Sequence, residues 1–204
     1  MEMKFFYMWY TRQETATKEI VKQLIQSGQL EITMGGWSAT DEACPNYEDI
    51  INNMYIGHGF LKREFGISPK IAWMIDSFGH TQANAALFSD MGFEALFMGR
   101  VDYQVKEQMK KDKSMIFLWR PLQKHFGMQK QILTQATLNG YSFPPGFRVD
   151  ERMDDDGPMQ ADKTIDNFNA EAKAVKLINY VTEVLATQRN TQNVIILWGD
   201  DFSF

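Results

Sequence analysis

The chain has 204 residues, 44% hydrophobic and 23% charged, which is enough apolar material for a sizeable core of an ordinary globular kind. The net charge of −5 is spread along the sequence, and no basic stripe with interleaved aromatics appears, so nucleic acid is excluded as a natural partner. One cysteine, Cys44, excludes an internal disulfide framework and a Cys-based zinc site, and its loop position reads as a bystander thiol.

In chain order, Phe5-Phe6-Tyr7-Met8-Trp9-Tyr10 reads as the tail of a core strand. No basic run or small-residue cleavage site precedes it, so it is no secretory signal, and it is too short to span a bilayer. Ile20, Val21, Leu24 and Ile25 share one helical face, and Gly28 ends that helix. Leu30 to Met34 is a strand closed by Gly35-Gly36. Asn46 is placed as an N-cap, with Glu48 and Asp49 in the first turn of a helix. Its buried face carries Ile50, Ile51, Met54, His58 and Leu61, and Gly66 ends it. Lys70 to Ile75 is the next strand. A helix around Ala83 to Met91 stops at Gly92, and Glu94 to Met98 is a further strand.

The middle, from Val101 to about Gly157, is less regular. Met115 to Trp119 is its one clear strand, and Asn139 to Gly146 is a Gly/Pro-rich loop. Asp154-Asp155-Asp156 reads as a solvated turn. A helix from about Asn167 to Thr187 and a buried strand, Val194 to Trp198, complete the alternation. Repeated β-α units with nearly continuous apolar strands predict an α/β fold with a buried, mostly parallel sheet. A chain that starts and stops beside core strands is expected to be a piece of a larger domain.

The polar residues fall in a pattern. Asp41 and Glu42 follow the second strand, Asp76 the third, Arg100 the fourth, and Asp200 and Asp201 the last. In parallel α/β folds these strand ends gather on the face that holds the active site. Loops are polar in any case, but here several carboxylates and one arginine lie close to Trp37, Phe78 and Tyr141. Two opposed carboxylates suit glycoside hydrolysis: one attacks the anomeric carbon while the other protonates the leaving oxygen and then activates water.

At Trp73-Met74-Ile75-Asp76-Ser77-Phe78-Gly79-His80 the sequence resembles the W-x-I-D-P-F-G-H signature of class II α-mannosidases, glycoside hydrolase family 38. Gly35-Gly36-Trp37 with Asp41-Glu42-Ala43 is similar to that family's G-G-W…N-D-E-A. Gln82 to Phe88 with Met91-Gly92-Phe93 resembles Q-A-S-L-F…M-G-F, and Phe97 to Gln104 resembles F-G-R-L-D-Y-Q. Asn139-Gly140-Tyr141 and Gly199-Asp200-Asp201-Phe202 resemble P-N-G-Y and G-[SD]-D-F. One such word would be weak; the ordered set is specific, and it looks more like the lysosomal branch than the Golgi branch.

The resemblance implies most of an incomplete seven-stranded β/α barrel, with residues 1–204 as one partial domain of the catalytic region. It implies a zinc-dependent retaining exo-α-mannosidase acting on terminal α-mannose of oligosaccharides or N-glycans. Asp76 would be the nucleophile and a ligand of Zn2+, with the metal gripping sugar hydroxyls. Asp201 would be the acid/base, and Asp200 a neighbour that raises its proton affinity and adjoins the substrate. Arg100 and Tyr141 would hold the sugar and order the carboxylates, and Phe78 would offer a ring face. The lysosome, the vacuole or the secretory route follows by the same resemblance, and the partner beyond substrate would be the remainder of a mannosidase chain.

Two departures stand out. Ser77 replaces the family's proline, which adds a backbone N–H beside the nucleophile. The family's His-x-Asp pair of zinc ligands is absent: His58, His80 and His125 are followed by Gly-Phe, Thr-Gln and Phe-Gly. One carboxylate does not hold a catalytic zinc, so the 204 residues alone are expected to bind it poorly and turn over little. His80 is expected to shape the Asp76 loop by hydrogen bonding rather than to bind metal, and His58 to be a satisfied core histidine. The competing expectations are a glycan-binding remnant without catalysis and a metal-dependent deacetylase sharing the barrel, which would want its own His-rich site.

Overall fold

The computed structural model describes residues 2–148, 157–191 and 193–201. The chain forms two compact units, one of Met1–Arg100 with Phe117–Gln135 and the other of Val101–Ile116 with Ala136–Phe204.

The first unit is organised by a four-stranded sheet and, before its first strand, three helices. α1 spans Met3–Tyr10, α2 Thr15–Gln26 and α3 Tyr47–Phe65. β1 (Ile71–Met74), α4 (Gln82–Asp90) and β2 (Ala95–Met98) follow in β-α-β order. The sheet is completed by β3 (Ile116–Trp119) and β4 (Ile132–Ala136) in the order β1-β2-β4-β3. β1 and β2 run parallel, with Met74 level with Met98. Strands and helices therefore share one mixed α/β architecture with a parallel pair at its edge.

Two apolar clusters hold this unit. Met3, Tyr10, Val21, Ile25, Phe60 and Leu61 bury the faces of α1, α2 and α3 against one another. Met34, Met54, Ala72, Met74, Phe88 and Leu96 join α3 and α4 to one face of the sheet. Alternation places Ala72 and Met74 of β1, and Leu96 and Met98 of β2, on the buried face.

The aromatic run at the start is a helix, α1, and not a strand. A continuous apolar run carries no period, and Met3, Phe6 and Tyr10 lie on one helical face that packs inward. The first N–H groups of α1 find acceptors in the chain itself: Met3 N–H donates to Gly36 O at 2.9 Å and Lys4 N–H to Trp37 O at 2.9 Å. The segment from Leu30 to Met34 is likewise no strand. It lies along β1 through one main-chain bond, Met34 N–H to Ile71 O at 2.7 Å. Met34 has φ of +58° and Gly35 +78°, so the backbone leaves the pleated conformation before a ladder can extend.

The capping glycines behave as the sequence predicts. Gly28, Gly66 and Gly92 have φ of +74°, +73° and +83° at the ends of α2, α3 and α4. Asn46 occupies the N-cap of α3, although its side chain makes no capping bond. Gly57 has a different purpose. A Cβ there would meet Gly35 O at 2.0 Å, so the Gly-Gly-Trp loop lies directly on α3 and on no other kind of residue. His58 beside it bonds Met34 O through Nε2 at 2.9 Å and packs on Phe93, as a satisfied core histidine should.

The second unit contains α5 (Tyr103–Lys111) and α7 (Ala170–Asn179), the latter continued by a π-type turn at Tyr180–Leu185 and a 3-10 turn at Ala186–Gln188. In the first, a short helix α6 (Gln123–Phe126) links β3 to β4. α5, α6 and β4 were not expected. α5 is polar, buries no residue, and is started by Asp102, whose carboxylate accepts from Gln104 N–H and Val105 N–H at 3.0 and 3.1 Å. The segment Val194 to Trp198 forms no strand among the described residues. Trp198 is 53% exposed and packs by its ring on Phe143 and Phe147. Asp154 to Asp156 lie outside the described residues.

Two glycines on α3 give opposite expectations. Gly57→Ala drives a methyl into Gly35 backbone and costs about 1–3 kcal/mol. Gly59→Ala meets only the far end of the Arg63 side chain at 3.3 Å and gains about 0.5–1 kcal/mol of helix propensity. Urea midpoints of the two variants should move in opposite directions from wild type.

Candidate functional site

The parallel register of β1 and β2 creates the site in the first unit. Counting on by two from Met74↔Met98 brings Asp76 level with Arg100, each just past the carboxyl end of its strand. Gly99 permits this approach. A Cβ at Gly99 would meet Ile75 O at 2.0 Å, so any side chain would push the two strand ends apart.

Arg100 then closes on Asp76 by three bonds. Its Nη2 donates to Asp76 Oδ1 at 2.6 Å, and its Nε donates to Oδ1 at 3.0 Å and to the Asp76 carbonyl at 3.1 Å. Both side chains remain about half exposed, so the pair itself stabilises the fold by only about 0–1 kcal/mol. Its consequence is orientation. Oδ1 is committed to the guanidinium, and no described residue donates to Oδ2. Phe78 is 77% exposed, and the Arg100 guanidinium sits 4.4 Å from its ring centroid.

Asp76, Phe78, Trp73, Thr40 and Asp41 line one cleft of about 380 Å³, within the size range of small-molecule sites. Ser77 turns its hydroxyl to Thr40 O at 3.4 Å, joining two residues that line the cleft. Asp41 is held by the backbone N–H of Ala43 and by the Cys44 thiol, which keep its carboxyl below the usual range. Asp41 in turn pushes the Cys44 thiol up, away from the reactive thiolate.

Glu42 behaves differently from its neighbour. Its side chain is 5% exposed. It accepts the backbone N–H of Thr81, and its Oε1 lies 3.5 Å from His80 Nδ1, an approach too long for a good hydrogen bond. Burial pushes this carboxyl up, but the His80 ring, the Thr81 N–H, Asn84 and the Thr81 hydroxyl outweigh it, and the net direction is down. His80 Nε2 faces Arg100 O at 3.0 Å. Thr81 also caps α4, accepting from Asn84 N–H at 3.0 Å.

The other predicted residues belong to the second unit. Tyr141 donates its hydroxyl to Asp201 Oδ2 at 3.2 Å, and Asp201 is exposed. Asp200 is ion-paired with Arg148 and accepts Asp201 N–H at 2.9 Å. Burial pushes the Asp200 carboxyl up, while Arg148, the Asp201 N–H and Ser142 bring it below its ordinary value. The Arg148 guanidinium compensates its charge, so Asp200 is more a brace for the loop than a source of negative potential. Sequence reasoning overlooked Arg148, and it overlooked Lys173, which is 5% exposed and donates to Gly146 O at 2.6 Å and Gly157 O at 3.0 Å. Neither carries a local signal, because each acts on a partner remote in sequence.

Among the described residues, no three His, Cys, Asp or Glu side chains gather in a group that could hold a metal ion. Asp76 offers a single carboxylate, short of the three protein ligands of a catalytic zinc. Among the described residues no helix is long and apolar enough to cross a membrane.

Glu42 titrates lower in the folded chain than in the unfolded one, so the stability it supplies is present above the ordinary carboxylate range and is lost as pH falls through its lowered value. Glu42→Gln should therefore cost about 1–3 kcal/mol near neutrality, as expected for a buried group losing charged hydrogen bonds. The gap to wild type should shrink toward pH ~3, below the unperturbed glutamate value. Urea titrations at several pH values measure it. Gly99→Ala should cost about 1–3 kcal/mol and lengthen the Arg100–Asp76 contact, which a crystal structure of the variant would show.

Comparison with known proteins adds to this geometry. The family model described as the glycosyl hydrolases family 38 N-terminal domain matches residues 1–204. A lysosomal alpha-mannosidase of Dictyostelium discoideum is 38% identical over 204 residues, covering 100% of this chain and 20% of its own length. A lysosomal alpha-mannosidase of Mus musculus is 34% identical over 209 residues, with the same coverage of 100% and 20%. The chain thus spans about a fifth of the length of the curated relatives it matches. The crystal structure of an alpha-mannosidase from Enterococcus faecalis V583 superposes with a TM-score of 0.57 at 18% identity, over 91% of this chain and 18% of that one, a likeness of fold. With the motif around Asp76 on the cleft and the whole chain inside one family model, the chain belongs to the glycosyl hydrolases family 38 N-terminal domain family.

Proposed function

We propose that the protein carrying this chain is a retaining, zinc-dependent exo-α-mannosidase that removes terminal α-linked mannose from N-glycans or oligosaccharides, working in the lysosome, the vacuole or the secretory route. In this reading residues 1–204 form the middle part of a catalytic seven-stranded β/α barrel. The observation that carries it is Asp76, on the cleft, inside the family motif, with one oxygen held by Arg100 and the other available.

Asp76 Oδ2 attacks the anomeric carbon, forming a covalent glycosyl ester as the glycosidic C–O bond breaks. Asp201 gives its proton to the leaving oxygen, then takes one from the water that cleaves the ester. The Arg100 guanidinium limits rotation of the Asp76 carboxylate, so attack requires little reorganisation. Tyr141 orders Asp201 in the same way, as a donor to Oδ2. Phe78 offers its exposed ring to the sugar, with Arg100 beside it. Asp76 supplies one zinc ligand at most. In this reading the remaining ligands lie outside the 204 residues, which alone bind zinc poorly and turn over little.

Two measurements test this. Purified chain with added zinc should show no more than a trace of turnover on an aryl α-mannoside; a rate comparable to a full-length relative would refute the need for further ligands. In the longer protein, an activated fluoro-mannoside that slows hydrolysis of the intermediate should label the peptide carrying Asp76. Asp76→Asn should reduce kcat by about 10³-fold or more, as loss of a nucleophile does. Label on another carboxylate would overturn the assignment. Sugar affinity that survives strong chelation without hydrolysis would favour a glycan-binding role instead.

A further inference from the structure

Arg100 is gripped by one loop. Asp76 takes its guanidinium, Phe78 stacks under it, and His80 meets its main-chain carbonyl, three residues spaced by two along the turn from β1 to α4. The first two contacts are solvent-exposed: Asp76 and Arg100 side chains are 58% and 50% exposed, and Phe78 is 77% exposed. Exposed ion pairs do not by themselves hold one geometry, because water competes and two long side chains lose entropy. The third contact is made from a side chain that is largely covered. The His80 side chain is 9% exposed and the Glu42 side chain 5%.

We infer that Glu42 and His80 are positioning residues, a buried carboxylate–imidazole pair that fixes the Arg100 main chain and through it the guanidinium that orients Asp76. A carbonyl only accepts, so the 3.0 Å contact at Arg100 O requires the hydrogen on His80 Nε2. The ring's other nitrogen faces Glu42 Oε1 at 3.5 Å, and Glu42 is itself fixed by the Thr81 N–H, one residue along. The ring is thus bounded on one side by the Glu42 carboxylate and hydrogen-bonded on the other to the Arg100 carbonyl, and the Cα of Arg100 follows. With the Arg100 carbonyl fixed and Gly99 pressed on Ile75, the Arg100 side chain leaves the backbone in one direction. Neither residue touches the reacting carboxylate, so both act through Arg100. As a statement about the nucleophile this rests on the role proposed for Asp76, but the geometry it asserts does not.

The test is made on the 204-residue chain without substrate or metal, so it succeeds or fails independently of mannosidase activity. Long-range 1H–15N spectra of the imidazole rings should show His80 with hydrogen on Nε2; hydrogen on Nδ1 alone would overturn the proposal without any substitution. In 15N-arginine samples, the Nε–H of Arg100 is identified by its loss in Arg100→Lys. His80→Ala should speed its exchange with solvent about tenfold, as expected when a local anchor opens. His80→Gln, which keeps a donor for the carbonyl, should restore most of the protection. An Arg100 signal unchanged in a folded His80→Ala chain would overturn the relay. If His80→Ala does not fold, Glu42→Gln serves: faster exchange at Arg100 with other amides unchanged supports the relay, and no change refutes it.

Discussion

Two parallel strands paired so that Met74 lies beside Met98 dictate the layout of the cleft. In a parallel pair, residues level with one another carry their side chains to the same face, and the register persists past the last ladder bond. Asp76 and Arg100 therefore meet without any need for a long loop to bring them together. The approach needs an absent Cβ at Gly99, where the backbone of Ile75 already fills the space. Given those two constraints, a carboxylate and a guanidinium at a strand-end cleft arise from sheet geometry, and the three bonds between them are a consequence.

The elements with a strong local signal were legible. β1, β2, α2, α3 and α4 each combine a periodic or continuous apolar run with a glycine at positive φ close by in the chain, and those two signals agree. Where a run had no period, type was ambiguous: Phe5 to Tyr10 is helical because Met3, Phe6 and Tyr10 pack together on α2 and α3, a tertiary cause invisible in six consecutive aromatic and apolar residues. Leu30 to Met34 has the composition of a strand and one bond to β1, but Met34 at φ +58° ends it. α5 was missed for the opposite reason. It buries no residue, its few apolar side chains are scattered, and only Asp102 as an N-cap announced it. Val194 to Trp198 has the look of a core strand, yet its contacts are those of ring against ring at Phe143 and Phe147.

At the site, the strand-end pattern put Asp76 and Arg100 after successive strands, and the structure joins them as an ion pair; it put Asp200 and Asp201 after a strand at Val194 to Trp198 that does not form among the described residues, where Tyr141 meets Asp201 instead. What it could not separate was exposure. Asp41 and Glu42 are adjacent and chemically alike, but one lines the cleft and the other is buried beneath Thr81 and His80. Asp200 likewise belongs to the strand-end pattern, and it is engaged by Arg148. A carboxylate's partner decides its role, and partners 39 residues away, as Thr81 is from Glu42, leave no trace in local sequence.

The division between exposed and buried carboxylates has a physical logic. A group that must meet a sugar has to face solvent, and exposed charges pair weakly and swivel. Its orientation must then be imposed by parts that water cannot reach. Glu42 meets that requirement: buried, held by a backbone N–H and facing an imidazole, it is expensive to leave unpaired and so is fixed in place. The cleft residues Asp76 and Phe78 meet Arg100 through their side chains, and Arg100 in turn is held through its main-chain carbonyl by His80. The loop after β1 is held at both of its ends in the same manner, by the Ser77 hydroxyl on Thr40 O and by the Thr81 N–H on the Glu42 carboxylate.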